Sequence, residues 1–215
     1  MRPPISSQTP ETLEVWLGDR GEKPYRAAQI LKWVHQHFAA DWAAMSNLSE
    51  SLQSSLDEAF EFSTLELARK QGDADTTQKF LWKLRDHQLV ESVLIPASPA
   101  LYGDASDRHT LCVSTQVGCA YGCTFCASGL DGFKRNLEPA EIIDQVLAVE
   151  RAQGRAGQCA INNLVIMGMG EPLANYENLM AALEILNADW GANIGARKIT
   201  ISTSGLVPQI KMLAA

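Results

Sequence analysis

The 215-residue sequence has no apolar run approaching the ~20 residues that a membrane-spanning helix needs. It has no leader pattern either. Met1 to Pro10 is polar and carries two early prolines, unlike a secretory signal, so a cytoplasmic protein with no membrane partner is expected. Cysteine is scarce: the five present are too few and too clustered for a disulfide framework. Basic charge is not in excess, with 18 Lys and Arg against 25 Asp and Glu and a net charge of −7. That balance argues against a general nucleic-acid coat and leaves room for a local basic patch. The acidity sits in the first half, where residues 1–107 carry 10 basic and 16 acidic side chains against 8 and 9 in the remainder. What is present, 46% hydrophobic and 20% charged residues, is ordinary for one large or two small globular domains with a buried core.

Periodicity divides the chain into three regions. Residues 1–62 read as a small helical domain. Leu13, Trp16 and Leu17 form one turn-spaced stripe, Ile30, Leu31, Val34 and Phe38 a second after Pro24, and Leu48, Leu52 and Leu56 a third with Ser49 or Asn47 as cap. Trp33 and Trp42 are expected to pack between these helices. Residues 63–107 change period and read as a short β extension, with strands over 79–84 and 89–95, a turn at 86–88, and a linker containing Pro96, Pro99 and Gly103. Residues 108–215 repeat strand then helix: strands at 110–115, 163–167 and 198–202, and helices from Glu138-Pro139 to about 152, through Leu179, Leu183 and Leu186, and from Val207-Pro208. Three such units predict an α/β fold with a parallel sheet or barrel. The chain stops at Ala215 inside an expected helix, and three units leave an open sheet edge with an uncovered inner face. Either a partner completes the sheet or the chain is a piece of a longer protein; the second is the expectation.

Chemistry concentrates in one loop after the first of these strands. Cys119, Cys123 and Cys126 form C-x3-C-x2-C. Three thiolates so close can share one soft-metal centre. A structural zinc normally takes four protein ligands, and Cys112 or His109 is available as a fourth. A cubane iron–sulfur cluster held by three cysteines instead leaves one iron open to a ligand. Cys159 matches no motif and reads as packing or an inert thiol. Two further loops follow the second and third strands: Gly168-Met169-Gly170-Glu171-Pro172, whose glycines permit close backbone approach, and Ser202-Thr203-Ser204-Gly205, rich in hydroxyls. All three loops leave the C-terminal ends of successive parallel strands, where α/β folds place their sites.

The cysteine spacing, the aromatic residue before the last cysteine and the position after the first strand resemble the radical S-adenosylmethionine (SAM) superfamily. Within it, Cys112 to Cys119 (CVSTQVGC), Gly132 to Leu137 (GFKRNL), Met167 to Leu173 (MGMGEPL) and Ser202 to Gly205 resemble the RlmN family in the family's order. The resemblance extends back through Val90 to Pro96 and the helical N-terminus. It implies the first half of a partial (β/α)6 barrel, preceded by the helical domain and the β extension. It implies a [4Fe-4S] cluster on Cys119, Cys123 and Cys126, and SAM contacts from Gly170, Glu171 and Ser202. It also implies methylation of carbon 2 of adenine in 23S rRNA and tRNA through a methylated cysteine, with Glu91 as proton acceptor and Cys112 as resolving thiol. An electron donor such as flavodoxin and a monomeric full-length protein are implied as well.

The family's methyl-carrying cysteine lies in a C-terminal stretch, and no cysteine follows Cys159 here. The 215 residues alone are therefore expected not to complete turnover. From the residues alone, Glu91 also fits the solvent side of a strand and Cys112 a buried strand position. Lys134, Arg135, Arg26, Lys32, His35 and His37 are candidate phosphate contacts. Two alternatives stay open: methylation at carbon 8, as in the sister Cfr enzymes, and a non-catalytic zinc-stabilised RNA-binding module.

Overall fold

The computed structural model describes residues 2–73, 76–97, 108–154 and 159–214. Among them, no helix is long and apolar enough to cross a membrane. The first 62 residues hold three helices, α1 (Pro10–Gly18), α2 (Tyr25–His35) and α3 (Glu50–Ala59). Helix α1 starts where Thr9 and Thr12 cap each other's backbone N–H groups and Pro10 needs no donor of its own. The cap of α3 is Ser49, whose hydroxyl accepts from Leu52 N at 3.3 Å. Asn47, the other cap candidate, instead accepts the indole N–H of Trp33 at 2.6 Å. The expected stripes face inward: Leu13, Leu17, Ile30, Leu31, Val34, Leu52 and Leu56 are all buried. Trp42 is buried edge-on against Phe62, whereas Trp33 is half-buried.

His35 corrects an expectation. It lies on the core side of α2 with no exposed surface, against Trp190. Burial, with the nearby Arg151 charge, pushes its pKa down to about 3. A neutral, enclosed imidazole does not reach a phosphate; Lys32 and His37, on the outer surface, remain exposed.

Six strands form one sheet in the order β1 (Leu65–Gln71), β2 (Gln78–Leu84), β3 (Leu89–Pro96), β4 (His109–Val113), β7 (Asn163–Ile166) and β8 (Ile199–Ile201). The pairs from β1 to β4 are antiparallel, and β4–β7–β8 are parallel. The β extension is therefore continuous with the α/β sheet. Pro96, expected in a linker, is the last residue of β3 opposite His109, and Pro99 and Gly103 lie outside the described residues. Strand β4 ends two residues early because the N–H groups of Thr115 and Gln116 both donate to Met169 O, at 2.9 and 3.1 Å. The chain then enters a two-stranded hairpin that periodicity does not reveal, β5 (Gln116–Val117) with β6 (Arg135–Asn136).

Helices α4 (Pro139–Gln153) and α5 (Tyr176–Asn187) cover one face of the sheet, and α6 (Val207–Leu213) follows β8. Leu111, Val113, Leu164 and Ile166 join Ile142, Ile143, Val146 and Leu179 in the buried core. Helix α4 also carries docking contacts for the helical domain and for the start of the β extension. Fully buried Asp144 accepts from Thr64 N and Oγ1, both at 2.6 Å, and Arg151 donates to Ala39 O at 2.9 Å. The other sheet face carries the register row Lys79, Val93, Cys112, Val165 and Thr200, none of them buried. Side chains two residues apart share a face, so Glu91 stands on this face as well.

Candidate functional site

The three loops meet at the C-terminal ends of β4, β7 and β8. A cavity of about 210 Å³ there is lined by Cys119, Cys123, Cys126, Gly170, Glu171 and Ser202, together with Tyr121, Phe125 and Met167. Six of the eight residues singled out from the sequence thus share one wall. Glu91 and Cys112 do not line it; they sit on the open sheet face below.

All five cysteines are free thiols. Cys126 is exposed, and hydrogen bonds from the Ser128 side chain and backbone hold its thiol below the ordinary value, favouring thiolate. Among the described residues no three His, Cys, Asp or Glu side chains stand close enough together to hold a metal ion, so the thiols border the cavity without converging on one point. Soft, accessible donors on one glycine-containing loop suit an iron–sulfur cluster chemically. Gly118 shapes that loop: its φ is +71°, and a Cβ would lie 1.9 Å from Gly132 O where the loop returns toward β6.

The Gly-Met-Gly-Glu loop is held by its neighbours. Gly170 has φ +102°, and a Cβ there would lie 2.5 Å from the Gln116 side chain. Gln116 Oε1 accepts from Glu171 N at 2.9 Å. The Glu171 carboxylate accepts from Leu173 N at 3.0 Å, Thr203 Oγ1 at 2.7 Å and Ser204 N at 2.7 Å, joining the loops after β7 and β8. Burial pushes its pKa up, but the donors from Ser204, Thr203 and Leu173 outweigh burial and hold it below the ordinary value. A carboxylate offers about four lone-pair directions, and three are used. The Ser114 hydroxyl donates to Glu91 O at 2.6 Å and accepts from Met169 N at 2.9 Å, so it ties the β extension to this loop. Thr203 belongs to the hydroxyl-rich loop noted in the sequence, whereas the loop-holding contacts of Ser114 and Gln116 carry no sequence signal beyond polar side chains beside the end of an apolar strand.

On the open face, Glu91 pairs with Lys79 at 2.6 Å, both side chains being more than a third exposed. Cys112 is half-buried, and burial raises its thiol pKa against a hydrogen bond from the Met167 backbone. Cys159 is exposed, not packed. Arg135 is a second correction. It donates to Asp86 Oδ2 at 2.7 Å and to both oxygens of Glu141 at 2.7 and 2.8 Å, which makes it a clamp between the β2–β3 turn and α4, not a free phosphate contact. Lys134 beside it is exposed.

Residues 5–62 match the model of the ribosomal RNA large subunit methyltransferase N-terminal domain, and residues 113–215 match that of the radical SAM superfamily. The chain is 52% identical over 213 residues to a probable dual-specificity RNA methyltransferase RlmN of Akkermansia muciniphila, covering 99% of this chain and 58% of that protein. It is 46% identical over 209 residues to a probable dual-specificity RNA methyltransferase RlmN of Bacillus subtilis, covering 97% and 55%. The crystal structure of a radical SAM methyltransferase from Sphaerobacter thermophilus superposes with a TM-score of 0.88 at 42% identity, covering 99% of this chain and 60% of that one. The chain thus spans somewhat over half the length of the curated relatives it matches. Both domain models are thus matched in order, and the similarity to proteins of the RlmN family runs along nearly all of this chain's residues.

Proposed function

We propose that this chain serves a radical SAM RNA methyltransferase that modifies carbon 2 of adenosine in 23S rRNA and in tRNA next to the anticodon. The observation that carries this is the single cavity shared by Cys119, Cys123, Cys126, Gly170, Glu171 and Ser202. Cys119, Cys123 and Cys126 would hold a [4Fe-4S] cluster, and Gly170, Glu171 and Ser202 would contact SAM. When bound, the pair supplies one-electron chemistry suited to a carbon that is not nucleophilic. Buried Glu171 stays ionised and keeps an acceptor site for an ammonium group. Glu91 is the proposed proton acceptor, with its carboxylate oriented by Lys79. Cys112 is the proposed resolving thiol, and burial keeps it protonated until it is needed. No cysteine follows Cys159, so the methyl-transfer step is proposed for a chain that also includes the family's methyl-carrying cysteine.

Anaerobic reconstitution with iron and sulfide tests the cluster. A brown protein whose reduced paramagnetic signal changes on adding SAM, and which loses its iron on Cys123→Ala, supports the proposal. A colourless protein retaining one tightly held zinc refutes it and favours the RNA-binding module. Mass mapping of adenine methylation in 23S rRNA and tRNA separates carbon 2 from carbon 8.

A further inference from the structure

Beside the cavity lies a second depression of about 480 Å³, lined by His87 and Gln88 from the β2–β3 turn, Leu89 at the start of β3, Asp131 and Lys134 from the loop entering β6, and Met169. Ser128 belongs to both walls, so the groove opens next to the cavity. Met169 faces the groove, while Met167, Gly168 and Gly170 of the same loop face the cavity. We infer that this groove seats one RNA nucleotide flanking the target adenosine, an inference that rests on the RNA substrate proposed above.

Three features support this. The volume lies within the ~300–1,000 Å³ typical of small-ligand sites. The lining combines what a nucleotide requires. Leu89, 43% exposed, and Met169 offer apolar surface for a base. Gln88 and Asp131 offer an amide and an acceptor for a base edge or a 2′-hydroxyl. Lys134 offers a cation for a phosphate, and it has no carboxylate partner among the described residues. The walls are also preorganised. The Arg135–Asp86 ion pair at 2.7 Å fastens the turn to the β5–β6 hairpin, and His87 holds a φ of +63° at the turn's tip. A strand with one base turned into the cavity would place its neighbour here.

The test is fluorescence anisotropy of this chain with a fluorescein-labelled tRNA anticodon-arm hairpin, titrated at several salt concentrations between about 50 and 200 mM. Variants are Lys134→Ala and Gln88→Ala, with exposed Lys198→Ala as the remote control. Lys134→Ala is expected to raise Kd about three- to tenfold and to lower the salt slope by about one. Gln88→Ala is expected to raise Kd with the slope unchanged, because no charge is lost. Wild-type Kd and slope in both variants, with the hairpin still bound, overturn the groove alone. Failure of the wild-type chain to bind the hairpin overturns the groove and the RNA substrate together.

Discussion

Replacing Glu171 by Gln changes almost no volume and removes one charge at the junction of two loops. The carboxylate, 4% exposed, accepts from Leu173 N and Thr203 Oγ1 at one oxygen and from Ser204 N at the other. A glutamine keeps one acceptor oxygen and turns an NH2 group toward a donor. At least one charge-assisted bond, about 1.5–3 kcal/mol, is lost and a buried N–H is left facing another donor. The expected destabilisation is about 3 kcal/mol, concentrated where the loop after β8 meets the loop after β7. Denaturant unfolding of the 215-residue chain measures the total, and hydrogen exchange at the Ser204 amide measures its location. The carboxyl pKa is depressed in the folded state, so its contribution is present above the unfolded value of 4.5 and is lost as pH falls through the folded value. Stability of the wild type should therefore fall more steeply below pH 4.5 than that of Glu171→Gln. Equal stability of the two proteins, with unchanged Ser204 exchange, would refute the role of Glu171 as the joint between loops.

Four further outcomes are expected. Ser114→Ala removes a hydroxyl that donates to Glu91 O and accepts from Met169 N, and should cost about 1–3 kcal/mol in denaturant unfolding while speeding exchange at the Met169 amide. Arg135→Met leaves Glu141, whose side chain is 5% exposed, without its cation; allowing for the 32% exposure of Arg135, the loss should be about 2 kcal/mol by the same assay. Gly118→Ala forces a Cβ to within 1.9 Å of Gly132 O at a φ of +71°, and should cost about 2 kcal/mol and reduce iron incorporation on reconstitution. His35 is neutral in the fold with a pKa of about 3 against an ordinary 6.5, so the unfolded chain binds the extra proton between these values. Stability should thus fall by about 2 kcal/mol between pH 6.5 and 5, and His35→Leu should flatten that slope in pH-dependent unfolding.

The helices and the three strand–helix units were legible because they rest on repeats of 3.6 and 2 residues, which follow from the shapes of helix and strand. Stripes such as Leu13–Leu17 and Ile30–Val34 turned inward as their spacing required, whereas the strand over 163–166 buries only Leu164 and Ile166 and leaves Val165 on the open face. The cysteine loop and the glycine- and hydroxyl-rich loops after the next two strands stood out because clustered thiols, glycines and hydroxyls reflect local donor chemistry and backbone demands. Local pattern could not show which partners a polar side chain finds across the chain. His35 and Arg135 look alike in sequence as cations for phosphate; one is enclosed against Trp190, and the other is clamped to Asp86, 49 positions away. The β5–β6 hairpin, with two residues in each strand, is too short for any period, and it forms because Met169 O draws Thr115 and Gln116 out of β4. Periodicity thus sufficed for the longer elements, and residue chemistry for the donor groups. The tertiary structure alone decided which of them meet, because hydrogen bonds and ion pairs between distant segments depend on packing, which no local period encodes.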